Sequence, residues 1–594
     1  MGPAILAASL LYLVLRKRIN NSVNPSLPDN KILSLILNVI FFFTFSASLL
    51  VMHQSEHRPF LYFTLTSVGA AAIAAEILSS TDKPSKTWLL LLKILLISFS
   101  LRYGLLYDLG PGFVGSDPWT HATFVNEWVK SGHVSPATSI GFDGYGNYAG
   151  MHLNIMAMRI ITGANTKDSF FLSIGLFYIA SILFVFLIGR LIINSRAGLL
   201  AALFISLNPD HVYFGANIIP QTVGIGTLAI LLWLIFKGGK NAANIALVLL
   251  MFLFIIFSHT LSAFVIGTTL FLWFFADLAY RRAAKIPDER TGPGIALMML
   301  FWVAMLTWWM YIPYFAPVQN GGFFNTIFNW FAMHLKADAE FTGTAFPTGI
   351  PSAVSSVPLN RLWFLMLLVL IMLGSLYWLT RKEINNRKAS IIFGTLGLAT
   401  IMLVNPLFNI QDLWTERWLP FIFVVSAPIA AEGLMAISRI ANGRLIKSAI
   451  LVIAVFAFAM LAINTNMVNT YTPFYGKAYA HDPDRDMFNE SELGAVDTIT
   501  SAYRGRVTTD PNYARLPFME VLGPQRVKWL TIGKQNSGLI VIREYVYTHS
   551  AVIGQLDDPS RAAFLNSFNG TGYNTVYNDG EVKAYLAENT ARTQ

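Results

Sequence analysis

The sequence has no cysteine in its 594 residues. That excludes disulfides, thiolate zinc sites and cysteine nucleophiles, so any chemistry falls to Asp, Glu, His, Ser, Tyr, Lys or Arg. Charge is also scarce. Only 13% of the residues are Asp, Glu, Lys or Arg, about half the share of a soluble domain, while 54% are hydrophobic. The chain therefore reads as a polytopic α-helical membrane protein. It shows no internal repeat and no low-complexity tract. No cleavable signal peptide is expected, because the first apolar run, 3–15, ends in Arg16-Lys17-Arg18 without a cleavage motif.

About 20 apolar residues cross a bilayer, and on that ruler about 14 spans are expected. They fall at 3–15, 32–52, 59–79, 88–107, 169–189, 197–208, 219–237, 244–258, 260–279, 294–312, 361–380, 389–408, 418–438 and 447–464. The net charge of +9 is not the mark of a nucleic-acid partner. Arg16 to Arg18, Lys31, Lys83, Lys86, Arg190, Arg196, Lys237 and Lys240 fall in one set of loops. Arg281, Arg282, Lys285, Arg381, Lys382, Arg387, Lys388, Arg439, Arg444 and Lys447 fall in the same set, which the positive-inside rule makes cytoplasmic. The opposite side then receives the loops 108–168, 208–218, 313–360 and 409–417.

Three regions follow: N-terminal helices over 1–87, a membrane core over 88–464, and a tail over 465–594 in which charge rises and apolar runs shorten. The tail is long enough for one small mixed α/β domain, placed outside the cytoplasm by the charge pattern. Glu490–Ser501 reads as a helix, while Arg506–Thr509 and Gly538–Val546 read as strands. Tyr573–Leu586 reads as a strand pair turning at Asn578-Asp579-Gly580.

The long loop 108–168 carries the most distinctive stretch, Gly115-Ser116-Asp117-Pro118-Trp119-Thr120-His121. Asp117 suits an N-cap and Pro118 a first helical position, so a helix is expected from there to Ser131, closed by Gly132. Trp119, Phe124, Val125, Trp128 and Val129 form its apolar stripe, with Glu127 and Lys130 opposite, which predicts a helix lying in the membrane interface. A second helix is expected near 148–162, with Met151, Ile155 and Met158 on one face. Ionisable residues at a membrane surface are costly and mark sites. On this side they are Asp117, His121, Asp210, His211, His259, Glu416 and Arg417, with Glu340 in the 313–360 loop. A carboxylate there can take a proton or hold a divalent cation, and arginine matches the oxygens of a phosphate.

Asp117-Pro118-Trp119-Thr120-His121, after a span and before two interfacial helices, resembles the first-loop motif of the GT-C glycosyltransferases, nearest to oligosaccharyltransferase catalytic subunits. Tyr148-Ala149-Gly150-Met151-His152 is similar to the start of that family's second interfacial helix. Glu416-Arg417-Trp418-Leu419-Pro420 is similar to its late span, whose first-turn arginine meets a lipid-linked phosphate. The resemblance covers about 88 to 464. It implies transfer of a sugar from a polyprenyl phosphate, such as a dolichol phosphate, to a glycan, lipid or protein acceptor at the bilayer surface. Asp117 would be the general base or the ligand of a divalent cation (Mg or Mn), and Arg417 the phosphate contact. The sequence departs from the family at 208–222, where Asp210 is the only acid, and lacks a Trp-Trp-Asp-Tyr-Gly motif in its tail, so transfer to a peptide sequon is not implied.

Plainer roles are open to each residue. Asp117 could only cap its helix, Arg417 only anchor its span, and His121 only pack. Asp210 and His211 follow Asn208-Pro209 and suit a surface turn, while His259-Thr260 suits a satisfied polar turn. Two other functions are compatible with the same architecture. One is a non-catalytic scaffold or a transporter, to which Lys93, Arg102, Glu76 and Glu432 in or near spans would be relevant. The other is an adhesion or assembly protein working through its tail.

Overall fold

The computed structural model describes residues 31–54, 58–79, 84–107, 112–115, 117–134, 145–238, 241–284, 294–311, 362–380, 384–408, 415–438, 443–463, 488, 490–530, 537–548, 558–569 and 572–587. Among them ten helices are long and apolar enough to cross a membrane, and three shorter apolar helices join them. The protein is a multi-pass membrane protein. The expected span 3–15, the loop 313–360 and Glu340 lie outside the described residues.

The helices, in chain order, begin with α1 (Lys31–Gln54), α2 (Phe60–Ser79), α3 (Pro84–Tyr107), α4 (Asp117–Ser131) and α5 (Gly150–Thr162). The helical run Thr166–Ile192 is α6, followed by α7 (Ser195–Leu207), α8 (Pro209–Ala216) and α9 (Pro220–Lys237). Then come α10 (Ala242–Ile256), α11 (Thr260–Ala284), α12 (Ile295–Tyr311), α13 (Leu362–Leu379), α14 (Asn386–Phe408), α15 (Leu419–Ser438) and α16 (Arg444–Ile463). Each of the other thirteen expected spans coincides with one of these helices. Short polar caps start several of them: Asn194 accepts from the Ala197 N–H (2.9 Å), and Asn241 from the Asn244 N–H (2.9 Å).

The chain divides into two compact units. The first comprises 1–102, 175–215 and 220–468; the second comprises 103–174, 216–219 and 469–594. In the first unit α15 is the central helix. In an apolar stretch of 18 residues 94% of its residues are buried, against 22% in α1, and it packs on α7 and α13. An apolar helix that is buried all round belongs inside a bundle, whereas α1 turns Ile32, Leu35 and Phe43 outward as a lipid-facing helix does. The bundle also hides polar groups. Lys93 of α3 pairs with Glu76 of α2, whose other oxygen accepts from Asn38 of α1 (3.1 Å). Arg102 is fully buried and donates to Ser98 Oγ (2.6 Å) and the Ser206 carbonyl (3.2 Å). Of the ionisable residues in spans that bear on a transporter, these three are thus held in internal hydrogen bonds.

The second unit joins the helices of the first long loop to the tail. The tail holds α17 (Glu490–Ala502), β1 (Val507–Thr509), a helical run over 511–522, β2 (Val527–Trp529), β3 (Leu539–Arg543), α18 (Asp558–Asn566), β4 (Tyr573–Asn578) and β5 (Val582–Ala587). The strands form one sheet in the order β2-β1-β3-β5-β4, parallel across β2, β1 and β3 and antiparallel beyond. The expected helix is present and the hairpin turns where Asn578-Asp579-Gly580 predicts, but the strand expected over Gly538–Val546 ends at Arg543, and Glu544–Thr548 is helical. The strand β2 and α18 were not foreseen. At the core of this domain Arg543 is fully buried between the rings of Phe488, Tyr513 and Tyr545, with Asp510 oxygens at 2.7 and 2.9 Å and Glu492 at 3.5 Å. Burial alone would lower its pKa, but Asp510 and then Glu492 hold it above the ordinary value.

Candidate functional site

The Asp117 motif folds as read, with one shift. Asp117 is the first helical residue of α4 rather than the residue before it, a difference within the usual fraying of helix ends. Its side chain is partly exposed, while Pro118 to Val125 and Trp128 are all buried. Gly132, at φ 72°, closes the helix as expected, and its N–H returns to the Trp128 carbonyl (2.9 Å). Opposite the apolar stripe Lys130 is exposed and Glu127 half-buried, as expected. Asn126, in that side, donates to Glu520 of the tail domain (3.1 Å) and accepts from Thr166 Oγ1 (2.8 Å) and from Arg159 of α5. Burial raises the Glu520 carboxyl to about 7, although Asn126 and Arg159 pull the other way. Trp119 meets Phe113 and Phe488 edge-on, at 5.2 and 5.8 Å between ring centres. The helix is packed by protein along Pro118 to Val125 and at Trp128, and Glu520 and Phe488 of the tail domain are among its partners.

His121 is 2% exposed and its Nδ1 lies 3.0 Å from Nε2 of His152 on α5. Tyr145, Phe124 and Trp128 surround the two imidazoles. Burial pushes His152 down to about 3, with the Tyr148 backbone opposing, so this ring is neutral at pH 7. On α5 the buried face is Met151, His152, Ile155 and Met156, while Met158 is half-buried. His152 stood in the sequence motif without a role; its place next to His121 follows from two helices packing, which spacing along the chain does not encode.

In the first unit the Asn208-Pro209 stretch is a correction. It is not a surface turn. Asn208 caps α8 by accepting from the His211 N–H (3.2 Å) and Pro209 opens the helix, a polar-residue-then-proline helix start like that at Asp117-Pro118. Val212, Phe214 and Ala216 bury α8. Asp210 is 6% exposed, and its carboxyl is raised by burial to about 7. His211 is 1% exposed, and burial, then the Arg102 charge, lower it to about 3. Its Nε2 lies 3.0 Å from the Pro420 carbonyl, an acceptor only, so Nε2 carries the proton. Its Nδ1 then accepts from the Tyr178 hydroxyl (2.7 Å). Both ring nitrogens are spent inside the protein. Arg102 lies against Gly215, where a Cβ would fall 2.5 Å from its Cδ, so glycine is required there.

Arg417 stands in the short turn Thr415–Trp418 that leads into α15, and is half-buried. The side chain of Glu416 lies outside the described residues. Gln221 of α9 donates to the Arg417 carbonyl (2.7 Å), and the buried Trp418 ring sits 6.0 Å from that of Phe264 on α11. His259 precedes α11, with Nδ1 2.7 Å from Ser262 Oγ; burial, then the Arg417 charge, lower it to about 3. So the structure groups Arg417 with His259 and Gln221 in the first unit, and His121 with His152 in the second, the unit that holds Asp117. Gln221, Tyr178 and Asn126 were not anticipated, and Arg102 was read only as an ionisable residue within a span. Among the described residues no three of His, Asp and Glu gather as a metal site.

No family model matches the chain, and no curated protein matches it. Solved structures do. The Archaeoglobus fulgidus oligosaccharyltransferase in its apo form is 13% identical, over 85% of this chain and 75% of its own, with a TM-score of 0.49. ArnT from Cupriavidus metallidurans bound to undecaprenyl phosphate is 11% identical over 84% and 97%, with a TM-score of 0.46. The mycobacterial arabinofuranosyltransferase AftD is 13% identical over 86% and 42%, with a TM-score of 0.46.

Proposed function

We propose that the protein is a membrane glycosyltransferase that takes a sugar from a polyprenyl-phosphate donor and passes it to an acceptor hydroxyl of a glycan, lipid or protein on the outer face. The observation that carries this reading is the Asp117 segment: the motif begins a helix whose acid stays partly exposed while the eight residues after it are buried. In the proposed reaction the Asp117 carboxylate accepts the proton of the acceptor hydroxyl as its oxygen bonds to the anomeric carbon. The bond from that carbon to the phosphate oxygen breaks, and Arg417 stabilises the departing phosphate by charge-assisted hydrogen bonds. His121 and His152 hold the acceptor side of α4 as packing groups. Where a divalent cation takes part, Asp117 would be its ligand. The tail domain, taken to lie outside the cytoplasm, would present the acceptor. The donor class is that of the ArnT structure with undecaprenyl phosphate and of the archaeal AglB structure with a dolichol phosphate; the support for it in this chain is the motif set.

The decisive experiment compares glycans and lipid-linked sugars in cells carrying wild-type protein or Asp117→Asn, with membrane levels matched. Loss of a glycan with build-up of its polyprenyl-phosphate donor is expected, by a factor of about 10² or more for removal of a general base. An unchanged profile at equal protein level would mean a non-catalytic scaffold.

A further inference from the structure

Helix α4 presents two opposite faces, and the tail domain holds one of them. At about 100° per residue, positions 117, 121, 124 and 128 fall within about 60° of one another, while positions 119 and 126 lie together on the far side. The first face meets α5. His121 Nδ1 is 3.0 Å from His152 Nε2, and the Phe124 and Trp128 rings stand 5.7 and 5.3 Å from the same imidazole. The second face meets the tail. Trp119 packs edge-on against Phe488 (5.8 Å), and Asn126 Nδ2 donates to Oε1 of Glu520, in the helical run 511–522 (3.1 Å). The chain entering the motif touches the tail as well: a Cβ at Gly112 would fall 3.1 Å from the Trp119 ring and 3.4 Å from Leu493 of α17.

Asn126 ties more than two elements. Its Oδ1 accepts from Arg159 of α5 and from Thr166 Oγ1 at the start of α6 (2.8 Å), and Arg159 also donates to that hydroxyl (2.9 Å). One planar amide thus spends its donor end on the tail and its acceptor end on α5 and α6. Ring contacts tolerate sliding, whereas a hydrogen bond weakens steeply as it bends. The amide therefore fixes how α4 is turned about its own axis.

Taking Asp117 as the reacting acid, on which this step rests, we infer that the tail domain is part of the machinery and not only a presenter of acceptor: Glu520, through Asn126, is a positioning residue for Asp117. The two ends of the lever are nine residues apart on one helix, about 13 Å along its axis. A side chain reaches about 5–6 Å from that axis, so turning the helix by about 20° carries its end about 2 Å. A misplacement of about 1 Å at a reacting group can cost about 10²-fold in rate.

The test uses the absence of cysteine from the chain. Asp117→Cys gives a single attachment point for a nitroxide, whose mobility is read by electron paramagnetic resonance on the full-length protein in lipid nanodiscs. In parallel, glycans and lipid-linked sugars are compared in cells whose protein keeps Asp117, at matched membrane levels. Glu520→Met keeps the length and loses the oxygen acceptor. Glu520→Gln keeps the acceptor and loses the charge. Asn126→Asp combined with Glu520→Gln exchanges the two groups, reversing the direction of the hydrogen bond while Arg159 and Thr166 keep their acceptor. Glu520→Met should free the nitroxide and cut glycan product about tenfold or more, with Glu520→Gln and the exchanged pair within about twofold of wild type. A spectrum that Glu520→Met leaves unchanged overturns the inference even where the unfolding temperature falls, because the contact then serves only the stability of the tail. Glu520→Gln behaving like Glu520→Met overturns it too, since charge rather than the hydrogen bond would be at work. A normal glycan profile in Glu520→Met, beside loss of product in Asp117→Asn, overturns it and leaves the proposed function standing. A normal profile in both removes the proposed function, and the inference with it.

Discussion

Asp210 allows a stability prediction whose sign differs from that of a working carboxylate. It is 6% exposed, and among the described residues its Oδ2 has no hydrogen-bond partner. Burial sets its folded pKa at about 7, against 3.8 in the open chain. The folded protein therefore binds one more proton than the unfolded one between those values. The group's contribution is complete below about pH 4 and is lost as pH rises to 7, by about 1.4 kcal/mol per pH unit and about 4 kcal/mol in all. Asparagine at this position keeps the shape and does not titrate. Asp210→Asn should match wild type near pH 4 and exceed it increasingly up to pH 7, with a plateau above. The neighbouring His211 and the remote His152 lose stability in the opposite direction, as pH falls from about 6.5 toward 3, but both proteins carry them and they cancel in the difference. The measurement is the unfolding midpoint of both proteins in detergent at half-unit steps from pH 4 to 8. A difference that does not vary with pH, or one favouring wild type more as pH rises, would mean that Asp210 is ionised and served by a cation, and would restore it as a ligand.

The other tests concern buried charge. Lys93→Ala leaves Glu76, 5% exposed, without its cation inside the bundle and should cost about 3–5 kcal/mol, while Lys93→Met with Glu76→Gln recovers more than half of it in thermal unfolding; no difference between single and double variants would mean that the pair is not formed. Arg543→Ala strands Asp510 and Glu492, each 1% exposed, and should cost the tail domain a similar amount. Limited proteolysis should then cut within 490–587 while the spans stay protease-resistant, and an unaltered digest would show that these carboxylates are held by something else.

What the chain discloses by itself depends on whether a signal is local. Apolar length is local, so thirteen of the expected spans coincide with helices to within a few residues, ten of them long and apolar enough to cross a membrane. Caps are local too: Asp117-Pro118 and Gly132 bracket α4 in the sequence as in the structure. The same rule applied at Asn208-Pro209 would have given α8, but proline after asparagine suits a turn equally, and what decides between them is burial of Val212, Phe214 and Ala216 against distant helices. Hydrogen-bond partners are not local at all. Tyr178 and His211 are 33 residues apart, His211 and Pro420 are 209 apart, and Gln221 and Arg417 are 196 apart. No periodicity announces such pairs, which is why His211 reads from the sequence as a substrate ligand yet has both nitrogens committed to the scaffold. His259 differs from His211 in that Ser262, one turn on in the chain, is the partner of its ring at Nδ1. A partner one turn on fixes a ring locally, whereas long-range partners on both nitrogens make a histidine part of the frame.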